Sequence, residues 1–236
     1  MSSFNKIGIS SEYDKKRIAH LFKIGIFAAV MVLIGDMLLG WGTVDESMSG
    51  MDQYYSRYLT VSDARIVWSA VLGLIGIPLE CLSYFGIYRC IAVKSEKYAH
   101  RYRSGILGML TFGAFVHVVC CASVYLYKCI YNLDPSVAAG IAMKFALYFL
   151  APVTGIFFIF FLLTAVTQIT AFAKGITPFP KWCAVFSVVS GFAVIIVMKL
   201  VGNYPLTNAI STGWISLGNL WTFTGLLINI KGIIKS

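Results

Sequence analysis

The run IGIFAAVMVLIGDMLLGW, from Ile24 to Trp41, is apolar over 18 residues except for one acid, Asp36. As a helix rising about 1.5 Å per residue it spans roughly 27 Å, close to the ~30 Å hydrocarbon core of a bilayer. A charge at that depth costs roughly 2.5 to 3.5 kcal/mol on insertion scales, so Asp36 needs a protein partner and marks a functional site by default. Gly25, Ala29, Val32, Asp36 and Gly40 recur at helical spacing. That stripe of mostly small residues suits close helix packing and turns the acid toward protein rather than lipid.

The rest of the chain fits a membrane solvent. Of 236 residues, 58% are hydrophobic and 12% charged, against about 25% charged in soluble domains. The formal charge of +9 is clustered between apolar runs, as topology determinants are, and this excludes a nucleic-acid partner. The cysteines Cys81, Cys90, Cys120, Cys121, Cys129 and Cys183 form no C-x-x-C pair. They read as small packing residues, with neither a disulfide framework nor a metal site.

Working outward from the first run, the expected architecture is an all-α polytopic bundle. Its six spans, in a single domain covering residues 1–236, are about 24–41, 66–88, 104–127, 138–172, 182–201 and 213–230. The basic segment from Met1 to Lys23 is read as a cytoplasmic lead-in, and the run after it as a retained helix rather than a cleaved signal. Between spans one and two, Met51, Tyr54, Tyr55, Tyr58 and Leu59 repeat with helical spacing. They predict a short amphipathic helix on the outer interface. Span four, long for one crossing, is expected to kink near Pro152. Fourteen Lys and Arg fall on the N-terminal side of the membrane and five on the other. Both termini are therefore expected in the cytoplasm, a pattern that fits a bacterial plasma membrane.

Three ionisable residues lie deep in these spans: Asp36, Glu80 and His117. Counting rise per residue puts Asp36 roughly 8 Å and His117 about 2 Å outward of the midplane, Asn219 about 5 Å outward and Glu80 about 4 Å inward. The expected site is one cavity with Asp36, Glu80 and His117 as catalytic acid/base groups. Asn219, Trp221 and Tyr84 are expected to contact the substrate. Such a cavity suits a membrane lipid or small amphipathic ligand and proton transfer to or from it. A small proton-coupled transporter is the main alternative and a noncatalytic scaffold the second. Signatures of phosphate, dinucleotide and zinc-protease sites are absent, and no cofactor or metal is expected. The rival account of Asp36 is a structural ion pair with Lys144 or Lys199, at the outer ends of spans four and five.

Overall fold

The computed structural model describes residues 12–230. The described residues are 85% helical, with no strand among them. The expectations for the start of the basic lead-in, residues 1–11, and for the C-terminal residues 231–236 lie outside those residues. Four helical stretches are long and apolar enough to cross a membrane, Asp14–Gly40, Asp63–Ala92, Glu96–Leu133 and Pro135–Ala173.

Helix α1 (Glu12–Gly40) starts well before the apolar run. The basic lead-in is amphipathic, so Ile18 and Phe22 are fully buried while Asp14 pairs with Arg89 from a neighbouring helix. The stripe on α1 faces protein: Ala29 and Val32 are buried, Gly25 lies under the Phe223 ring and Gly40 against Thr212. After the short α2 (Gly50–Ser56), α3 (Asp63–Ser83) begins at a Ser62 cap that accepts from the Arg65 N–H. It passes through Pro78 and breaks only at Tyr84, where α4 (Phe85–Ala92) takes over. The basic loop expected before span three shrinks to three residues. Ser95 caps α5 (Glu96–Leu133) by accepting from the Tyr98 N–H, and this 38-residue helix, about 57 Å long, overshoots a bilayer core at both ends.

Span four is continuous but not uniform. Helix α6 (Pro135–Phe145) leads through a π turn at Ala146–Leu150 into α7 (Ala151–Ala173). Pro152 has no N–H to donate, and its ring clashes with the carbonyl four residues back, so the wider turn just before it relieves the expected kink.

The fifth segment departs from a simple span. Where Trp182 to Val201 is expected as one helix, two 3-10 turns, Lys181–Val185 and Val188–Ser190, precede α8 (Gly191–Val201). Backbone outside a regular helix survives next to lipid only when its polar groups find other partners. Here the Gln168 amide donates to the Phe186 carbonyl at 2.7 Å. The Trp221 indole donates to the Val185 carbonyl at 2.9 Å, and the Ser190 hydroxyl donates to the same oxygen at 3.0 Å. Gly191 and Gly218 let this segment touch the backbone of the last helix, because a side chain at either would run into a carbonyl. The last stretch is also divided, into α9 (Pro205–Thr212) and α10 (Trp214–Asn229), with the bend at Gly213.

A short helix, α2, covers part of the segment expected to be amphipathic, and the tyrosines of that segment are split between two surroundings. Tyr54 is half-exposed, while Tyr55 and Tyr58 are buried, with Tyr55 stacked on Tyr127 of α5 at 4.8 Å between ring centres. The turn between α5 and α6 is held by Asp134, whose carboxylate accepts from both the N–H and the hydroxyl of Ser136. Those bonds hold the Asp134 carboxyl below its ordinary value of 3.8. Because the folded value is depressed, this cap contributes fully above pH 3.8 and is lost as pH falls through the folded value. Asn caps about as well without titrating. The fall in thermal midpoint between pH 6 and pH 3 should therefore be smaller in Asp134→Asn than in the wild type, measured by differential scanning calorimetry in detergent.

Candidate functional site

The small and polar stripes of α1, α3 and α5 turn toward one another and are closed by α7 and α10. They leave a cavity of about 210 Å³. Its walls are mainly apolar, contributed by Val32, Leu39, Ile77, Phe157, Phe161 and Ile215. Asp36, Glu80, His117, Asn219 and Tyr84 all line it. Five of the six residues singled out in the sequence thus meet in one place.

Asp36 is 8% exposed and lies where α9 turns into α10. Its Oδ2 accepts from the Ser216 hydroxyl at 2.7 Å. Oδ1 stands 3.7 Å from Nδ1 of His117, slightly too far for a direct hydrogen bond, a separation at which a bridging water is the usual intermediary. Lys144 and Lys199, the alternative partners, are both exposed. The basic side chain facing Asp36 is that of His117.

His117 is fixed from its other side. Nε2 lies 3.0 Å from the Ser69 carbonyl oxygen and 3.4 Å from the Ser69 hydroxyl. A carbonyl only accepts, so Nε2 must carry a hydrogen. In the neutral ring, Nδ1 then presents a lone pair to Asp36. A proton held by either group would let the two pair across that gap. Room for the imidazole comes from Gly73 on α3, where a Cβ would overlap the ring.

Glu80 is 4% exposed. Tyr84, at the joint of α3 and α4, donates its hydroxyl to Oδ1 of Asn219 at 2.5 Å. With that oxygen occupied, the Asn219 amide is left to engage the Glu80 carboxyl. Glu80 Oε1 has no hydrogen-bond partner.

Trp221 stands apart from the other five. It is about half-exposed, does not line the cavity, and borders a shallow groove between α8 and α10 with its indole on the Val185 carbonyl. Asn219 and Trp221 are two residues apart, which on a helix puts them about 200° around the axis from each other. The period of the helix already separates them. Ser216, Ser69 and Gly73 were the residues whose roles sequence reading missed. Ser216 and Asn219 share a face at i, i+3 spacing, which was the available signal, whereas nothing local announces that Gly73 makes space for a ring on another helix. Among the described residues, no group of three His, Cys, Asp or Glu side chains is arranged to hold a metal ion.

A family model matches residues 6–232 of the chain. The chain belongs to DUF6796, a family of unknown function. No curated protein and no solved structure matches it. Function for this DUF6796 member must therefore be argued from the cavity itself.

Gly73→Ala tests whether the imidazole position depends on that glycine. The added methyl overlaps His117 and should lower stability by about 1 to 3 kcal/mol, the usual cost of overpacking. The His117 ring signals in ¹⁵N NMR should shift as the Ser69 hydrogen bond is displaced. A variant of wild-type stability with unchanged ring signals would show that the ring does not fill that space.

Proposed function

We propose that this chain is a multi-pass membrane protein whose internal cavity binds a small amphipathic molecule and exchanges protons with it through Asp36, His117 and Glu80. One observation carries the reading: three ionisable side chains from α1, α3 and α5 converge on a single apolar-walled cavity. Intramembrane acids and histidines that face a common space mark proton relays and substrate sites. In this reading the proton shared by Asp36 and His117 moves to or from the bound molecule. Ser216 steadies the carboxylate, Ser69 orients the ring, and the polar end of the ligand meets Glu80, Asn219 and Tyr84. The apolar walls take its body.

The proposed topology has six crossings, with α8 and the α9–α10 pair as the last two. Both termini lie on the basic, cytoplasmic side of the cell membrane. The Lys and Arg distribution supports that orientation, and α2, with Tyr54 outward, supports an outer interfacial position for the first loop.

The same constellation serves acid/base chemistry on a lipid or proton-coupled passage of a solute. The second reading has its own support, the bend at Gly213, which lies directly beside Asp36. Interrupted helices next to a buried acid are a feature of secondary transporters.

Lipid profiles of cells with and without the protein test the chemical reading. At least one species should change, and Asp36→Asn, which still folds, should slow its formation about 10²-fold, the lower range of general acid–base effects. Matching profiles together with a pH-gradient-dependent flux into reconstituted vesicles would decide for transport. Matching profiles with no such flux would sink both.

A further inference from the structure

Resting on the cavity reading above, we infer that the ligand is a lipophilic monocation of the alkylammonium type, taken up in exchange for the proton of Glu80. The inference comes from counting charge and hydrogen-bond capacity around the cavity. From α1 it is faced by Asp36, from α3 and its joint with α4 by Glu80, Cys81 and Tyr84, and from α5 by His117 and Cys120. The α7 wall supplies Phe157 and Phe161, and α9 and α10 supply Thr212, Ser216 and Asn219, none of them charged. Among the described residues, no Lys or Arg lines the space. Arg57, which interacts with Cys120, has its guanidinium over the rings of Tyr54 and Tyr58, at 4.8 and 4.6 Å.

Asp36 faces a basic side chain, His117, at 3.7 Å. Among the described residues that line the cavity, Glu80 has no second base beside it. A charge on its carboxyl, taken out of water, must be met by a proton or by another cation. Its Oε1 is buried without a partner, an acceptor that a ligand N–H fits. An anionic headgroup would meet two acids and no fixed cation, so the cavity rejects it. A neutral alcohol supplies a hydrogen bond and leaves the proton in place. An alkylammonium supplies the N–H and the charge together, with its chain against Val32, Ile77, Phe157 and Phe161. The exchange balances simply. The protonated Glu80 carboxyl and an R–NH₃⁺ ion become a carboxylate–ammonium pair, and one proton leaves to water. No bond to carbon changes.

The test compares octylammonium with 1-octanol, two probes of similar apolar length that differ in charge. Each is titrated by calorimetry into the protein in phosphatidylcholine nanodiscs, with empty discs as blank. Octylammonium should bind with release of about one proton, read from the dependence of heat on buffer ionisation. Its Kd should fall about tenfold per unit rise in pH until Glu80 is already ionised, as linkage to one displaced proton requires. 1-Octanol should show neither effect. Glu80→Gln should lose at least tenfold more affinity for octylammonium than for 1-octanol. The pH series on the wild type keeps the test decisive if that variant fails to fold. Octylammonium binding with no proton released and a flat pH profile would overturn the exchange. Binding of 1-octanol alone would overturn the choice of a cation while leaving the cavity reading standing, and binding of neither would overturn both.

Discussion

The contact of Asp36 with His117 and Ser216 ties three helices that are far apart in sequence, α1, α5 and α10. A carboxyl group in the bilayer core cannot turn to water, so the fold must bring it polar partners. Ser216 reaches Oδ2 at 2.7 Å because α10 starts beside Asp36, and α10 starts there because the chain bends at Gly213. His117 reaches Oδ1 because Gly73 leaves room for the ring and the Ser69 carbonyl holds its far nitrogen. The small residues on α1 and α3 are thus more than a packing convenience. They permit the close approach that lets one acid be satisfied from two directions.

The requirement that backbone polar groups find partners in lipid governs the less regular parts. The 3-10 turns before α8 survive because Gln168, Trp221 and Ser190 donate to the carbonyls of Phe186 and Val185, which a helix would otherwise have paired. The π turn before Pro152 works in the opposite way, since there the helix adjusts its own winding instead of borrowing donors. Trp221 therefore belongs to the repair of a broken span rather than to the cavity.

These outcomes explain how far the sequence could be read. Helical periodicity places Asp36, Glu80 and His117 inward, because each has a glycine four positions away, Gly40, Gly76 and Gly113, on the same face, and hydropathy marks four long helices. Periodicity also contained the correction for Trp221, since a residue two positions from Asn219 lies on the far side of α10. What could not be read were effects between elements: the space Gly73 leaves for His117, the donors that make the 3-10 turns affordable, and the burial of Tyr55 and Tyr58 against α5 rather than in headgroups. Each depends on a neighbour distant in sequence, and no local pattern encodes which neighbour that is.

Gln168 and Glu80 show why a buried polar residue need not imply a site, and why this cavity does. Gln168 is 1% exposed, and both ends of its amide are used: the Tyr102 hydroxyl donates to its Oε1 at 3.0 Å and its Nε2 donates to Phe186. It joins α5, α7 and the following turn, with both its oxygen and its nitrogen engaged. Glu80 is buried to a similar degree, yet only one side of its carboxyl is engaged, by Asn219, which Tyr84 orients. Oε1 stays open beside apolar walls. An apolar residue of similar volume would serve packing at lower cost. In the proposed reading an occupant supplies what Oε1 lacks, with an asparagine and a tyrosine aligned behind the acid.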